Sequence, residues 1–197
     1  MKKLFLLGLL FAGTLQLTNA QKIKLTQGDA SVLKGQTEIN VVFTYDNMSV
    51  GKFDKEADYV STKKADYNKD EPGRGDKWAA AWVADRKSRF EPDFIELFEK
   101  NSTIKLGNHP SAKYTITINT SRTEPGFNIA MMKKNAQVDL EITITETATN
   151  KVVAAYTVLK SPGRTFGMGD FDTGIRIKEA YATAGKYFAR ELMDALK

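Results

Sequence analysis

Three stretches of the chain alternate between hydrophobic and polar residues, and together with a fourth, more apolar stretch they predict four β-strands. The first stretch, EINVVFTYD, places Ile39, Val41 and Phe43 on one face. The second and third, KYTITINTS and AQVDLEITITE, alternate as strictly, whereas the fourth, KVVAAYTVLK, is apolar on both faces. Only the short link TATN separates the third stretch from the fourth, so we expect these two strands to form an antiparallel hairpin.

Other stretches have apolar residues at intervals of three, four and seven, which is the spacing of amphipathic helices. The first lies between residues 50 and 68, and PGRG separates it from a second helical stretch, which the side chain of Asp76 is expected to cap. Pro92 lies inside the second stretch, which predicts a kink or two helices that meet near Phe90. The last helix is expected over about residues 174–196, with an apolar face of Ile177, Tyr181, Ala184, Phe188 and Leu192.

The order of these elements, β-α-α-β-β-β-α, predicts an α+β fold built as a two-layer sandwich. We expect a mixed or antiparallel sheet of about four strands with the helices on one face. The polar residues that alternate along VDLEITITE predict that the other face of the sheet meets water. A single domain is expected over residues 37–197, after a polar lead-in over residues 21–36.

The first twenty residues have the features of a cleavable export signal. Lys2 and Lys3 supply its positive start, an apolar run continues to Leu17, and Ala20 is small enough for cleavage before Gln21. The apolar run is shorter than the roughly 20 residues that cross a bilayer as a helix. These features predict a periplasmic or secreted protein without a transmembrane segment.

The distribution of charge argues against nucleic-acid binding. The 29 basic residues exceed the 24 acidic ones, but the two kinds are interleaved, as in KFDKEADYVSTKKADYNKDE. A nucleic-acid groove would need clustered basic residues beside stacking aromatic side chains. The interleaving instead predicts a solvated charged surface.

Two side chains that carry much enzyme chemistry are scarce in this sequence. There is no cysteine, which excludes disulfides, a thiol nucleophile, a thiolate metal site and a lipidated cysteine after the signal. The single histidine, His109, excludes a zinc site built on several histidines and would have to serve any Ser-His-Asp triad alone. The sequence therefore predicts no metal site, no cofactor and no lipid anchor, and it identifies no catalytic residue.

A glycine-rich stretch, SPGRTFGMGDFDTG, precedes the last helix and has the composition of a phosphate-binding loop. The match fails at Ile175, where such a loop has lysine, and at Arg176, where it has the hydroxyl that holds magnesium. Asp170 and Asp172 would lie at the positive end of the helix, where carboxylates cap it and repel phosphate. We interpret the stretch as a capped turn, and Arg164, Asp170 and Asp172 are candidate binding residues.

The segment TEPGFNIAMMKKN, residues 123–135, is the hardest to assign to a core. Pro125 and Gly126 indicate a tight turn. Four apolar residues follow before a pair of lysines: Phe127, Ile129, Met131 and Met132. Such a segment is either a strand extension packed under a helix or an exposed patch for a partner or a membrane surface. Both interpretations stay open, and these four residues are the second set of candidate binding residues.

Trp78 and Trp82 lie four residues apart on a predicted helix. Aromatic residues at this spacing on an apolar stripe are typical of a core. The alternative is that they stack on sugar rings beside carboxylates, as in a glycan-binding protein or a glycoside hydrolase of the envelope. That alternative predicts a concave pocket that holds at least one of the two indoles.

Several phrases together resemble a family of uncharacterised exported proteins of Gram-negative bacteria: EPGRGDKWAAAW, RFEPDFIELF, TEPGFN, SPGRT and DFDTGIRIKEAYA. The resemblance implies export, but it transfers neither an activity nor a site residue. The element order is also similar to that of envelope-assembly lipoproteins of the curli-secretion and lipopolysaccharide-transport types, whose lipidated cysteine is missing here. We therefore expect a non-enzymatic periplasmic or secreted protein that binds another envelope component, either a protein or a glycan.

Overall fold

The computed structural model describes residues 21–129, 132–163 and 172–197. Nine strands form within these ranges: β1 (Lys22–Gly28), β2 (Glu38–Thr44), β3 (Ser49–Val50), β4 (Lys105–Gly107), β5 (Tyr114–Glu124), β6 (Phe127–Ile129), β7 (Met132–Lys134), β8 (Ala136–Glu146) and β9 (Val152–Gly163). The same ranges contain four α-helices: α1 (Glu56–Asp70), α2 (Arg74–Asp85), α3 (Glu91–Glu99) and α4 (Thr173–Ala195).

The α+β class and the mixed sheet agree with the prediction, but the main sheet has seven strands rather than about four. Its order is β1-β9-β8-β5-β2-β4, and β3 pairs with β5 outside this path. Strand β2 runs parallel to β4 and β5, whereas β5, β8, β9 and β1 are antiparallel neighbours. The predicted hairpin between the last two alternating stretches is confirmed as β8–β9.

The predicted order β-α-α-β-β-β-α is wrong because it omits the strands that a pattern of buried residues does not reveal. Strand β1 lies in the polar lead-in and is exposed along most of its length, so its hydrogen bonds to β9 hold it in place. Strands β3 and β4 have two and three residues, which is too short for a period of two to be recognised. Strands β6 and β7 form a separate two-stranded sheet.

One face of the main sheet is buried, as the alternation predicted. The buried residues of β5, β8 and β9 recur at every second position and include Ile116, Ile118, Leu140, Ile142, Ile144 and Tyr156. Helix α4 packs on β8 and β9 and also against α3. The ring of Phe188 on α4 lies 5.4 Å from that of Tyr156 and 5.8 Å from that of Phe98, measured between centroids. These rings join the two layers.

The predicted break near Phe90 is confirmed. A π-helical turn, Arg86–Phe90, separates α2 from α3, and Pro92 lies in the first turn of α3. Proline is tolerated there because the first backbone N–H groups of a helix have no partner within it. The ring of Phe90 stacks on Tyr181 of α4 at 5.2 Å, and the hydroxyl of Tyr181 shares a 2.6 Å hydrogen bond with Thr120. The break is therefore packed against the core.

The predicted cap of α2 is wrong. Helix α2 begins after Gly73, which has a φ of 81°, and Asp76 lies within its first turn. The carboxylate of Asp76 instead lies 2.6 Å from the ammonium group of Lys64. The backbone N–H of Gly75 donates a 2.7 Å hydrogen bond to Oδ1 of Asn68. Helix α1 therefore supplies the side chain that caps α2, which local sequence spacing does not reveal.

Within the described ranges, the helices are all too short or too polar to cross a membrane.

Candidate functional site

Strands β6 and β7 continue the pairing of β5 and β8 beyond the main sheet. Glu124 pairs with Gln137 at the end of the β5–β8 ladder, and Phe127 pairs with Lys134 at the start of the β6–β7 ladder. The same number of residues intervenes on each arm, so the register is unchanged across the gap. The four strands are therefore the two arms of one long hairpin, whose end lies outside the seven-stranded sheet.

Three predicted contact residues share one face of the β6–β7 hairpin. Phe127 and Ile129 are two residues apart on β6, and Met132 of β7 pairs directly with Ile129. Their exposed fractions are 41%, 59% and 59%, respectively. Residues Phe127, Ile129 and Met132, the apolar hairpin face, are thus exposed rather than packed under a helix. The fourth candidate of this segment, Met131, lies outside the described residues.

Buried charges hold the base of this hairpin. Glu124 is 9% exposed, and its carboxylate accepts hydrogen bonds from Nζ of Lys134 at 2.6 Å and from the backbone N–H of Gly126 at 3.2 Å. Arg176 of α4 is 4% exposed and donates from Nε to the carbonyl oxygen of Pro125 at 3.2 Å. Burying a charge is costly unless it is paired and hydrogen-bonded. These contacts therefore fix the hairpin relative to α4.

A cleft of about 510 Å³, the aromatic cleft, lies beside the base of the hairpin. Its aromatic lining consists of Phe53, Tyr59, Tyr67, Trp78 and Phe127. Its charged and polar side chains are Lys52, Lys63, Glu124, Asn128, Thr173 and Arg176. The volume falls within the range of roughly 300–1,000 Å³ that is typical of small-ligand sites.

The aromatic rings of the cleft hold one another in place. The indole of Trp78 lies edge-on to Tyr67 at 5.7 Å and to Tyr59 at 5.8 Å, measured between ring centroids. The ring of Phe53 meets Tyr59 at 5.7 Å in the same manner. Burial raises the pKa of Tyr59 to about 12, so its hydroxyl is neutral at physiological pH. The cleft is therefore lined by rings in a fixed edge-to-face arrangement.

Cationic side chains lie over two of these rings. The ammonium group of Lys52 is 5.5 Å from the centroid of Phe53, and that of Lys63 is 5.6 Å from the centroid of Tyr67. The guanidinium of Arg74 lies 4.8 Å from the same Tyr67 centroid. Both distances from a lysine ammonium group to a ring centroid are within the range of cation–π attraction, which holds the two ammonium groups at the rim of the cleft.

The two tryptophans occupy different environments. Trp82 is 6% exposed, and its Nε1 donates a 2.5 Å hydrogen bond to Oε1 of Glu56. The core interpretation is therefore correct for Trp82, and the alternative in which Trp82 contacts a sugar is wrong because the indole is covered. Trp78 is half-buried and lines the aromatic cleft. One indole thus has the concave surroundings that the glycan-binding alternative requires.

The aromatic cleft has a single carboxylate among its described lining residues, that of Glu124. Glycoside hydrolysis in its usual form uses two carboxylates that flank the scissile bond, and Glu124 is paired with Lys134. The single histidine, His109, lines a different pocket of about 260 Å³. In the described part of the chain, no three carboxylate or histidine side chains are grouped as metal ligands.

Asp172 caps α4, as predicted. Its Oδ1 accepts a 3.1 Å hydrogen bond from the backbone N–H of Ile175, and Nη1 of Arg89 lies 3.3 Å from both carboxylate oxygens. Burial acts to raise the pKa of Asp172, but the bond from Ile175 and the charge of Arg89 outweigh it and keep that pKa below its ordinary value. The other candidates of this stretch, Arg164 and Asp170, lie outside the described residues.

Sequence reasoning missed Arg176 and Glu124 as residues of this site. The signal for Arg176 was present, because it precedes Ala180 and Ala184 at helical spacing on the apolar face of α4. Glu124 carried no such signal, because the four residues from Ser121 to Glu124 are all polar. Near the irregular pairing with β8, burial no longer recurs at every second residue but falls on the adjacent pair Thr123 and Glu124.

No protein-family model matches the sequence, and a comparison with curated proteins finds no match. Among solved structures, the chain is similar to a PelC dodecamer from Paraburkholderia phytofirmans at 9% identity, with 84% of this chain and 96% of that chain covered and a TM-score of 0.42. A variant of that PelC gives 10% identity, 83% and 97% coverage and a TM-score of 0.39. A protein from Xanthomonas campestris gives 13% identity, 53% and 59% coverage and a TM-score of 0.38. Similarity at this level carries no conclusion about function, and the resemblance to exported proteins stays a prediction.

Proposed function

We propose that the protein is a non-enzymatic binding protein of the cell envelope, and that the apolar hairpin face binds another envelope protein. One observation supports this most directly: three large apolar side chains are exposed together at the end of a hairpin. Single exposed apolar residues are ordinary, whereas contiguous ones are typical of a surface that a partner covers. The envelope location rests on the export signal predicted from residues 1–20.

The hairpin holds the apolar face in a defined position before any partner arrives. The ion pair of Glu124 with Lys134 and the hydrogen bond from Arg176 to Pro125 hold its base. A surface that is already ordered loses little conformational entropy when it binds. A small contact area can therefore support specific binding.

The charges beside the apolar hairpin face indicate the chemistry of the partner. Lys134 pairs with Phe127 across the strands, and Lys133 pairs with Asn128. Lys133 lies on the opposite face of the hairpin, and the ion pair of Lys134 with Glu124 leaves the apolar hairpin face without a net charge at its edge, so an apolar pocket in a partner protein would match it in shape. A protein is favoured over a membrane because Glu124 already neutralises Lys134, which weakens attraction to anionic lipid headgroups. Three apolar side chains without strong electrostatic attraction bind a bilayer only weakly.

Site-specific photo-crosslinking in intact cells tests the proposal. A photoreactive residue is placed at Ile129, and the matched control is placed at Val83, which is 53% exposed on α2. We expect a discrete protein adduct from position 129 only, and we expect it to disappear when Phe127→Asp and Met132→Asp are added. After the partner is identified and purified, Phe127→Asp should raise its Kd at least about tenfold, as at other central interface residues.

Folding of the variants is checked by circular dichroism and urea unfolding. Exposed substitutions change the free energy of unfolding by only about 0.5 kcal/mol, so the double variant should remain folded. The control Val83→Asp should bind the purified partner as the wild type does. The proposal would be refuted by adducts with lipid alone, or by the same set of adducts from positions 129 and 83.

A further inference from the structure

The aromatic cleft is a second candidate site, which adjoins the apolar hairpin face and shares only Phe127 with it. From its lining we infer that the cleft binds an acidic sugar, a saccharide unit whose ring carries a carboxylate. This inference goes beyond the proposed function and does not depend on it. Three features of the cleft support it: the fixed aromatic walls, the excess of positive charge, and the capped end of α4.

The walls match the apolar C–H faces of a sugar ring. Phe53, Tyr67 and Trp78 come from three different segments and converge on one cleft of about 510 Å³. Their edge-to-face contacts fix the rings, so little side-chain entropy is lost when a ligand enters. A fixed apolar wall with polar groups at its edge is the usual construction of a small-ligand site.

The charges of the lining favour an anion. Lys52 and Lys63 lie on the rim, and neither forms an ion pair with a residue in the described ranges. Arg176 lies at the base of the cleft, where its guanidinium is engaged with Pro125 and Thr173. The negative charge of Glu124 is offset by Lys134 at 2.6 Å. A neutral sugar would leave both rim lysines without an anionic partner, whereas a sugar carboxylate can accept a charge-assisted hydrogen bond from a lysine.

The start of α4 explains why a carboxylate on a sugar is favoured over a phosphate group. Thr173, the first residue of α4, lines the cleft, and the preceding Asp172 already caps the helix. The N–H of Ile175 is therefore occupied by Asp172, whose carboxylate also pairs with Arg89, so the usual phosphate-binding position at a helix start is filled. A carboxylate bound at the lysine rim does not need that position.

Isothermal titration with cellotriouronic acid, a trisaccharide of glucuronic acid units, tests the inference. Cellotriose is the matched neutral ligand, because the two differ only at the oxidised carbon of each ring. We expect the acidic trisaccharide to bind and cellotriose to bind at least about tenfold more weakly, which corresponds to the loss of one charge-assisted hydrogen bond. The affinity should fall as salt is added, since the attraction is between charges near the surface.

Matched variants locate the site. Lys63→Glu should raise the Kd for the acidic trisaccharide about tenfold or more. Lys77→Glu changes an exposed lysine of α2 outside the cleft and should leave the Kd within about twofold. In the Trp82→Phe variant, the remaining Trp78 should report saturation as a change in fluorescence, whereas Trp82 in the Trp78→Phe variant should not.

The inference is overturned if both trisaccharides bind equally, if neither binds, or if Lys77→Glu weakens binding as much as Lys63→Glu. Met132→Asp separates it from the proposed function. That substitution removes an apolar hairpin residue outside the cleft lining, so it should abolish partner crosslinking and leave trisaccharide binding unchanged.

Discussion

The Nε atom of Arg176 donates a 3.2 Å hydrogen bond to the carbonyl oxygen of Pro125, which lies 51 positions earlier in the chain. The Nη2 atom of the same guanidinium donates to the carbonyl oxygen of Gly126 at 3.4 Å and to the hydroxyl of Thr173 at 3.0 Å. This buried side chain therefore joins the turn that enters the hairpin to the first turn of α4. Both candidate sites depend on that junction.

Replacement of the Arg176 side chain, which makes this junction, is expected to destabilise the fold. Arg176→Met keeps much of the side-chain volume but leaves the carbonyl oxygens of Pro125 and Gly126 without their charged donor. We expect the free energy of unfolding to fall by about 3 kcal/mol, because a buried polar group that loses its partner keeps its full desolvation cost. Urea unfolding monitored by circular dichroism measures the change.

The matched control for this experiment is Arg190→Met, which removes an exposed arginine whose Nε donates to Asn101 at 3.2 Å. Exposed substitutions of this kind change the free energy of unfolding by about 0.5 kcal/mol or less. Equal losses for the two variants would contradict a special role for Arg176.

Two glycines with positive φ give a second prediction. Gly126 has a φ of 64°, and a Cβ there would lie 2.3 Å from the carbonyl oxygen of Lys134. Gly35 has a φ of 83°, with nothing within 4 Å of such a Cβ. We expect Gly35→Ala to cost about 1 kcal/mol from backbone strain alone, and Gly126→Ala to cost about 2–4 kcal/mol because overpacking adds to that strain.

Thermal unfolding of both glycine variants compares these costs, and hydrogen exchange shows where the structure loosens. For Gly126→Ala, amide hydrogen exchange should become faster mainly in the β6–β7 hairpin, which begins directly after Gly126. The prediction fails if the two alanine variants have the same midpoint, since the crowding at Gly126 is then relieved without cost.

The cap of α4 gives a pH-dependent prediction. The folded-state pKa of Asp172 lies below its ordinary value of 3.8, so its charged form stabilises the fold above that pH and the contribution is lost as pH falls. Asp172→Asn keeps an oxygen that accepts the bond from Ile175 but removes the charge that faces Arg89. The stability of the wild type minus that of the variant should therefore be largest near neutral pH and should shrink in acid.

Urea unfolding of both proteins across the acid range measures this difference. Asp85 lies beside the same arginine, and its pKa is raised by burial and also by the charge of Asp172, so Asp85 contributes part of the difference between the two proteins. A difference that grows as the pH falls would show that the charged form of Asp172 does not stabilise the fold.

Part of this structure was predictable because the spacing of apolar residues along the sequence reflects the local geometry of the backbone. Strands β2, β5, β8 and β9 and all four helices coincide with alternating or helical stretches of the sequence. The break at Phe90 and the cap at Asp172 were also predicted, since proline and a carboxylate act on the backbone within one helical turn. The prediction that Asp76 caps α2 was wrong, because Asn68 of α1 accepts the hydrogen bond from the N–H of Gly75 instead.

The surroundings of the candidate sites could not be predicted from local sequence patterns. The apolar residues Phe127, Ile129 and Met132 were identified from the sequence, but the two interpretations of their segment differed only in what covers them. Burial depends on the path of the whole chain, and here the hairpin extends past the elements that would have covered it. The cleft is even less visible in the sequence, because its lining ranges from Val50 to Arg176.

By itself, the sequence determined the long strands, the helices and the apolar candidates, because periodicity and capping act between residues a few positions apart. Tertiary structure alone decided that the sheet has seven strands, since β1 and the shortest strands are held by backbone hydrogen bonds to distant partners, and every residue type except proline can both donate and accept such bonds. It also decided that Arg176 meets Pro125, because only the folded path of the chain brings two such distant positions together.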